Sequence, residues 1–199
     1  MTKLTIADIA DLRAYERERE SFRDRIIELK GHRRIQVGPL ISMVFENADT
    51  IRFQIQEMAR AERMLTDEAI QAELDVYNPL IPEPGELSAT LFLELTSKDQ
   101  LMEWLPKLVG VETAAELRIG DGPARATVRS RAEEGHAAQL TRQDVTASVH
   151  YVRFRLQPAE VDAFEAGPVA LAIDHPSYQH QVSLSDSTRR SLLTDLRGS

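Results

Sequence analysis

The chain has 199 residues, a formal net charge of −8 at pH 7 and a pI of about 5.2. It contains no cysteine, which excludes disulfides, thiolate metal sites, cysteine-ligated iron–sulfur clusters and a cysteine nucleophile. The acidic balance argues against nucleic-acid binding, which usually needs a basic stripe, so we expect the basic cluster at residues 30–34 to be a solvated turn.

Composition places the chain among ordinary globular proteins. Hydrophobic residues make up 42% of the sequence, and no stretch approaches the roughly 18 apolar residues that a membrane span needs. The N-terminus lacks the long apolar core of a signal peptide. We therefore expect one cytoplasmic α+β domain over residues 1–199, with no nucleic-acid or membrane partner, and a homo-oligomer is left open.

The N-terminal part, residues 1–80, is predicted to contain helices and one hairpin. Residues 4–30 carry apolar side chains at three- and four-residue spacing, which is typical of a helix. Thr5 with Asp8 resembles a capping box at the start of this helix. Two β-rich runs flank the Gly-Pro pair at residues 38–39, which predicts a hairpin or a tight bend there.

Residues 46–63 are predicted to form a second helix, capped by Asn47 or Asp49. Residues 50–56 also alternate as a strand would, but strong helix formers continue the stretch without a breaker. A short helix that starts at Thr66 and an extended, proline-rich loop follow it.

The remaining part, residues 86–199, is predicted to be rich in strands. Apolar and β-branched runs predict strands over residues 86–95, 114–120, 124–130, 148–156, 169–174 and 180–185. Helices are predicted over residues 96–110, with a break near Pro106, and over residues 158–167 and 186–196, whereas residues 131–144 are predicted to be a loop.

Residues 86–129 and 147–184 share the order strand, helix, strand, strand. This order suggests an internal duplication, although α+β domains often have such an order without one. In either case the predicted class is α+β. We expect a mostly antiparallel sheet with helices on one face, and a helical N-terminal part that packs against it.

The helix predicted around residues 48–65 carries polar side chains on its apolar sides. A helical wheel places Glu62 within an apolar stripe, and it places Glu57 and Arg60 on a second apolar side. Three interpretations of Glu62 are left open: an ion pair with Arg19, a carboxylate held in a pocket as general base or metal ligand, or exposure at the helix end. The candidate catalytic residues are Glu57, Arg60 and Glu62.

Histidines offer a second kind of candidate site. Alternation along its strand places His150 on the apolar face, where a histidine is more often a hydrogen-bonded core residue than a ligand. A metal site could still combine His150 and His175 with a carboxylate from Glu62 or Glu94, or from Glu57. The sequence permits this site without requiring it.

Arginines offer a third kind of site, for an anionic ligand. Guanidinium groups suit bidentate contacts with carboxylate or phosphate, and the candidate ligand-binding residues are Arg63, Asn78 and Arg153. The sequence has no Walker loop, no Gly-x-Gly-x-x-Gly and no Gly-x-Ser-x-Gly motif. It therefore indicates no particular cofactor.

Four stretches of the chain, VGPLISMVFENADTIRFQIQEMARAER, YNPLIPEPGELSATLFLEL, SVHYVRFRL and IDHPSY, resemble a bacterial family, the domain-of-unknown-function family numbered 3501. The resemblance covers essentially the whole chain and is most specific from Val37 to Leu95. It implies no reaction. It does imply genes near rubrerythrin-like di-iron proteins and cysteine-rich Fe–S oxidoreductases, and hence a role in peroxide or oxygen defence or in electron transfer.

Three functions are left open at this point. The first, which the resemblance favours, is a non-enzymatic accessory protein that binds a rubrerythrin-like or Fe–S oxidoreductase partner. The second is a metal-dependent or acid/base enzyme, and the third is a binder of small anionic ligands. Both of these would use a Glu/Arg/His pocket around the helix at residues 48–65.

Overall fold

The computed structural model describes residues 3–133 and 145–198, and it confirms the α+β class. The α-helices in these ranges are α1 (Leu12–Arg33), α2 (Ala48–Ala61), α3 (Asp67–Tyr77), α4 (Lys98–Lys107), α5 (Pro158–Ala166) and α6 (Asp186–Arg197). The strands are β1 (Arg34–Val37), β2 (Ile41–Glu46), β3 (Glu86–Leu93), β4 (Ala115–Ile119), β5 (Ala126–Arg129), β6 (Arg131–Ala132), β7 (Val149–Arg155), β8 (Val169–His175) and β9 (Tyr178–Ser183). Within these ranges, no helix has the length and apolar character of a membrane span.

The strands form two antiparallel sheets rather than the single sheet that we expected. One sheet has five strands in the order β1-β2-β3-β7-β6, and the other has four in the order β5-β4-β8-β9. Helices α4 and α5 each connect a strand of the first sheet to a strand of the second. The strands are therefore divided between two layers, which the local sequence pattern does not reveal.

The two units with the same predicted element order occupy equivalent places in the two sheets. Strand β3 pairs with β7 in the five-stranded sheet, and β4 pairs with β8 at the centre of the four-stranded sheet. Strands β5 and β9 lie on either side of that centre. Both units have the expected order of strand, helix, strand, strand, but this does not establish an internal duplication, which stays a prediction.

The main core lies between the two sheets. Alternate side chains of each strand point inward, so that Met43 and Leu91 of the first sheet and Leu117 and Leu171 of the second are buried in one cluster. Helices α5 and α6 complete this cluster. Each large apolar side chain buried there stabilises the fold by about 1.5–3 kcal/mol. Helices α2 and α3 cover the opposite face of the five-stranded sheet, and α1 packs against α2.

The first helix begins later than predicted. Residues 6–8 form a single turn of 3-10 helix, and α1 starts only at Leu12. The cause is Asp11, whose carboxylate accepts hydrogen bonds from the backbone N–H groups of Arg13 and Ala14 at 2.9 Å each. An N-cap of this kind starts a new helix inside the apolar pattern.

The other predicted helices and strands are confirmed with shifted ends. The loop predicted to be extended contains a 3-10 turn at Asn78–Leu80, and α4 continues through Pro106 to Lys107 rather than breaking there. The turn between β8 and β9 is shorter than expected, because β8 extends to His175 and β9 begins at Tyr178. Within the predicted loop at residues 131–144, Arg131–Ala132 form β6 instead, and residues 134–144 lie outside the described part of the chain.

The predicted hairpin at residues 38–39 is confirmed, and it closes over Tyr178 of the other sheet. The Tyr178 hydroxyl donates to the carbonyl of Val37 at 2.7 Å and accepts from the N–H of Leu40 at 3.0 Å. Gly38 has a φ of 70°, and a Cβ at this position would lie 2.5 Å from the Tyr178 oxygen. Glycine therefore leaves room for the phenol that ties the two sheets together.

Replacement of Gly38 should be much more costly than replacement of Gly110. Gly110 also has a positive φ, 88°, but no atom lies within 4 Å of a Cβ built there. Gly110→Ala should lower the free energy of unfolding by about 1–2 kcal/mol through backbone strain alone. Gly38→Ala adds a clash with the side chains of Tyr178 and His180 and should cost about 3 kcal/mol or more. Urea unfolding of both variants checks this, and equal losses would mean that these two side chains do not pack against Gly38.

Candidate functional site

The floor of the candidate site is the face of the five-stranded sheet that points away from the main core. Side chains on this face form rows across the strands, with Arg34 opposite Val44, Val44 opposite Thr90, and Thr90 opposite Tyr151. Glu46 lies two residues beyond Val44 on β2, about 7 Å further along the same face. The strand register thus places basic, acidic, hydroxyl and aromatic side chains on one surface.

Helix α2 lies over this floor and begins directly after β2. Asn47 is its N-cap: its side-chain oxygen accepts from the N–H of Thr50 at 3.0 Å, and the Thr50 hydroxyl accepts from the N–H of Asn47 at 2.9 Å. This reciprocal cap satisfies two backbone donors. The helix predicted over residues 46–63 is confirmed with the bounds 48–61, and the alternative strand over residues 50–56 is wrong.

The end of β2 is held by the buried side chain of Arg33. Its Nε donates to the carbonyl of Phe45 at 2.8 Å, and one Nη donates to the carbonyl of Glu46 at 3.1 Å. The same guanidinium forms an ion pair with Asp195 of α6, and each side chain is 1% exposed. The predicted solvated turn at residues 30–34 is wrong, because residues 30–33 belong to the last turn of α1 and Arg34 begins β1. Arg33 is buried, since its carboxylate partner comes from a helix 162 residues away in sequence.

Floor and helix enclose a cavity of about 280 Å³, which we name the α2 cavity. This volume is close to the lower end of the range of small-molecule sites, about 300–1,000 Å³. Apolar and hydroxyl side chains line it together with three aromatic and three charged residues: Tyr77, Phe92 and Tyr151, and Lys30, Arg34 and Glu46.

Glu46 is the buried charge of the α2 cavity. It is 7% exposed, and its carboxylate accepts a hydrogen bond from the Thr90 hydroxyl at 2.7 Å. Within residues 3–133 and 145–198, no Lys, Arg or His nitrogen lies within 4 Å of this carboxylate. A carboxylate offers about four lone-pair positions for hydrogen bonds. Glu46 therefore keeps acceptor capacity on the side of the cavity.

The two tyrosines of the cavity supply hydroxyl groups that are protonated at neutral pH. Burial raises the pKa of Tyr151, and the nearby Tyr77 and Glu46 raise it further. Burial also raises the pKa of Tyr77, against a hydrogen bond with Gln54 that lowers it. Both phenols line the α2 cavity and can thus donate hydrogen bonds to a ligand there.

Two cations border the cavity. Arg34 forms an ion pair with Glu94 at 2.5 Å, and its guanidinium lies 5.4 Å from the centroid of the Phe92 ring. The Lys30 ammonium lies 6.0 Å from the centroid of the Phe53 ring, and no carboxylate of the described residues lies within 4 Å of it. Lys30 is therefore the cation of the cavity that is more readily available to an anionic group.

The predicted catalytic residues Glu57 and Arg60 face α1 rather than the α2 cavity. Arg19 donates to both carboxylate oxygens of Glu57 at 2.8 Å each, and the Tyr15 hydroxyl donates at 2.6 Å. These hydrogen bonds, that of Arg19 first, lower the pKa of the Glu57 carboxyl to about 2. Arg60 pairs with Glu16 at 2.6 Å. The polar side of α2 thus joins this helix to α1, and a catalytic role for Glu57 and Arg60 stays a prediction.

Glu62, the third predicted catalytic residue, is exposed at the end of α2. The helix ends one residue before Glu62, and Arg63 has a φ of 53°, so the chain leaves the helical path there. Leu65, three residues further along the chain, is 82% exposed. The predicted ion pair between Arg19 and Glu62 is wrong, because Arg19 binds Glu57 instead. Exposure at the helix end is the interpretation that the structure supports.

His150 lies on the inner face of β7, as the alternation predicts. Its Nε2 lies 2.9 Å from the Thr146 hydroxyl and 2.9 Å from the carbonyl oxygen of Ala147. Burial lowers the pKa of His150, while the Glu112 carboxylate, 4.0 Å from Nδ1, raises it. These contacts are typical of a hydrogen-bonded core histidine.

The other predicted metal ligands lie elsewhere. Glu94 binds Arg34 and accepts from the Ser42 hydroxyl at 2.5 Å each. His175 Nε2 lies 3.1 Å from the carbonyl oxygen of Val109. In the described part of the chain, no three His, Cys, Asp or Glu side chains are grouped to hold a metal ion, so the four predicted ligands do not converge.

Two of the predicted ligand-binding residues hold the loop that follows α3. The Asn78 side chain accepts from the N–H of Leu4 at 2.9 Å and donates to its carbonyl at 2.8 Å, while Arg153 donates to the carbonyl of Pro79. Arg63, the third, is exposed in the turn after α2. Their role toward a ligand stays a prediction, and the contacts described here are structural.

Sequence reasoning missed Glu46, Thr90 and Tyr151 as residues of one site. A partial signal was present, because alternation along ISMVFE places Val44 and Glu46 on the face opposite Phe45. The register that brings β3 and β7 beside β2 depends on pairing between strands that are distant in sequence. No local pattern contains that information.

Comparison with known proteins assigns the chain to a family. The profile of the family described as "Protein of unknown function (DUF3501)" matches residues 3–196. The chain belongs to this family. The DUF3501 resemblance of the sequence is thereby confirmed over nearly the whole chain.

A solved structure supports the DUF3501 fold. The crystal structure of a novel protein of unknown function from Burkholderia pseudomallei K96243 is 34% identical in sequence, with a TM-score of 0.88. The alignment covers 98% of this chain and 100% of the other. No curated protein matches at a significant level.

The Glu57 cluster predicts a pH-dependent contribution to stability. Folding lowers the pKa of Glu57 from 4.5 to about 2, so its stabilisation is complete above pH 4.5 and is lost as the pH falls toward 2. Glu57→Gln should lower the free energy of unfolding at pH 7 by about 2 kcal/mol. The difference from wild type should narrow at pH 3, as measured by urea unfolding.

Glu62→Gln is the matched control for this experiment. The same substitution one residue beyond the end of α2 removes an exposed carboxylate, so it should change the free energy of unfolding by less than about 0.5 kcal/mol at either pH. A Glu57→Gln effect that stays constant between pH 7 and pH 3 would contradict a lowered pKa.

Proposed function

We propose that this DUF3501 protein binds a small organic molecule in the α2 cavity, with Glu46 as the group that orients the ligand. The observation that carries the proposal is the state of Glu46, a 7% exposed carboxylate whose hydrogen bond within the described residues comes from Thr90. A buried charge with few partners is costly to the fold. A ligand that donates hydrogen bonds to Glu46 would offset this cost.

The rest of the lining supports the proposal. Small-molecule sites combine apolar and aromatic walls with a few polar groups that fix orientation. The α2 cavity has this composition, since Ile51, Leu80 and Val149 line it together with the hydroxyls of Thr50 and Thr90. The sequence also led us to expect a pocket beside the helix at residues 48–65, although the residues expected to line that pocket were different ones.

Acid/base catalysis in the same cavity is a second candidate function. A carboxylate can take a proton from a substrate, and a protonated phenol can donate one. Glu46 and Tyr151 could take these two roles, because both line the cavity and both neighbour Thr90, which pairs with Tyr151 across the strands and donates to Glu46 at 2.7 Å. The predicted catalytic set of Glu57, Arg60 and Glu62 lies outside the cavity lining and stays a separate prediction.

The role implied by the family resemblance is a separate proposal. A partnership with a rubrerythrin-like or Fe–S oxidoreductase protein in peroxide or oxygen defence is compatible with ligand binding, since an accessory protein can carry a small molecule. Its support is the resemblance itself. The cytoplasmic location and the homo-oligomer likewise stay predictions.

A fragment screen by protein-observed NMR tests the proposed function. Binding fragments should shift the methyl signals of Ile51 and Val149, which line the cavity. Gln54→Trp should abolish these shifts, because Gln54 is an exposed residue of α2 at the cavity and an indole there would fill the space without altering the core. Gln71→Trp, at an exposed position of α3 outside the lining, should leave them unchanged.

Two results would contradict the proposed function. One is a screen in which no fragment shifts the signals of the cavity lining. The other is undiminished binding by folded Gln54→Trp protein, which would place the ligand outside the α2 cavity.

A further inference from the structure

We infer that the ligand of the α2 cavity is a zwitterion, with a protonated amine that binds Glu46 and an anionic group that binds Lys30. This inference rests on the proposed function and specifies the chemical class of the ligand. It follows from the charges of the cavity, which are opposite at two places on its lining.

The amine end follows from Glu46. A neutral donor would satisfy the remaining lone pairs of Glu46, but a cation would also compensate its buried charge. Within the described residues, no Lys, Arg or His nitrogen lies within 4 Å of this carboxylate. Charge-assisted hydrogen bonds are stronger than neutral ones. A protonated amine is therefore the partner that Glu46 favours most.

The aromatic walls favour the same group. Tyr77, Phe92 and Tyr151 line the cavity, and the faces of such rings attract cations within about 6 Å. Phe92 already has the Arg34 guanidinium 5.4 Å from its ring centroid, which shows that cations are accommodated beside this wall. Ammonium recognition commonly combines such rings with a carboxylate.

The anionic end follows from Lys30. An ammonium beside a cavity would repel a purely cationic ligand, whereas it would attract a ligand that also carries a carboxylate. Arg34 is already neutralised by Glu94 at 2.5 Å, but Lys30 has no carboxylate of the described residues within 4 Å. Lys30 is therefore the residue that we assign to the anionic group.

The floor of the cavity gives a length scale for the probe. Glu46 lies two residues, or about 7 Å along the strand, from the row of Arg34 and Val44, and Lys30 lies on the last turn of α1, four residues before Arg34. In an extended ω-amino acid with about five carbons, five bonds of about 1.5 Å each join the amine nitrogen to the carboxyl carbon, which gives a similar distance between the two charges. We therefore choose 5-aminopentanoate as the probe.

Isothermal titration of the full chain at pH 7 with three probes tests the inference. The probes are 5-aminopentanoate, pentylamine and pentanoate, which have the same chain length and differ in their charged ends. The zwitterion should bind more than about tenfold tighter than either of the other two, because each of them lacks one charge-assisted contact.

Two variants separate the ends of the ligand. Glu46→Gln should weaken the binding of 5-aminopentanoate and pentylamine by about tenfold or more without weakening that of pentanoate. Lys30→Ala should weaken the binding of pentanoate without weakening that of pentylamine. Glu62→Gln and Lys98→Ala, both at exposed positions outside the lining, are the matched controls. If Glu46→Gln does not fold, Glu46→Asp should give the same pattern with a smaller loss.

Three outcomes would overturn the inference. If pentylamine binds as tightly as the zwitterion, the anionic group contributes nothing to binding. If pentanoate binds as tightly, the amine contributes nothing. Binding of none of the three probes would also overturn it. The fragment screen distinguishes this failure from failure of the proposed function, because neutral fragments that still bind in the cavity leave the proposed function standing.

Discussion

The buried guanidinium of Arg33 is the group on which the arrangement of this DUF3501 protein depends. It joins the end of α1 to the end of β2 and to α6, through the carbonyls of Phe45 and Glu46 and the carboxylate of Asp195. Removal of one partner from such a buried pair costs about 3–5 kcal/mol, because the other charge stays buried. Since α2 begins directly after β2, the same contact fixes both Glu46 and the helix above it.

Two carboxylates near α2 show how a structural group differs from a candidate functional one. Glu57 receives hydrogen bonds from Arg19 and Tyr15, so its charge is compensated within the fold. Glu46 is more buried, yet the hydrogen bond it receives from the described residues is that of Thr90, and it faces a cavity. The capacity that the fold leaves unused at Glu46 is the basis of the proposed function.

Local rules in the sequence predicted much of the fold and little of the site. Asn47 and the Gly-Pro pair at residues 38–39 mark elements through caps and turns, which act within a few residues. The wheel put Glu62 within an apolar stripe, but the side chain is exposed, because a periodic pattern does not show where a helix ends. Arg33 and Glu46 acquire their roles from partners that are far away in the sequence, and no local pattern encodes such contacts.

Native-state hydrogen exchange of Arg33→Lys protein is the most direct test of the claim that Arg33 positions the α2 cavity. Lysine keeps a positive charge near Asp195, but it lacks the planar fork that reaches both carbonyls of β2. If Arg33 positions the cavity, amides at residues 45–51 of Arg33→Lys protein exchange faster than the overall loss of stability explains, whereas Arg34→Lys leaves them protected. Acceleration spread evenly over the molecule in Arg33→Lys protein would contradict the claim.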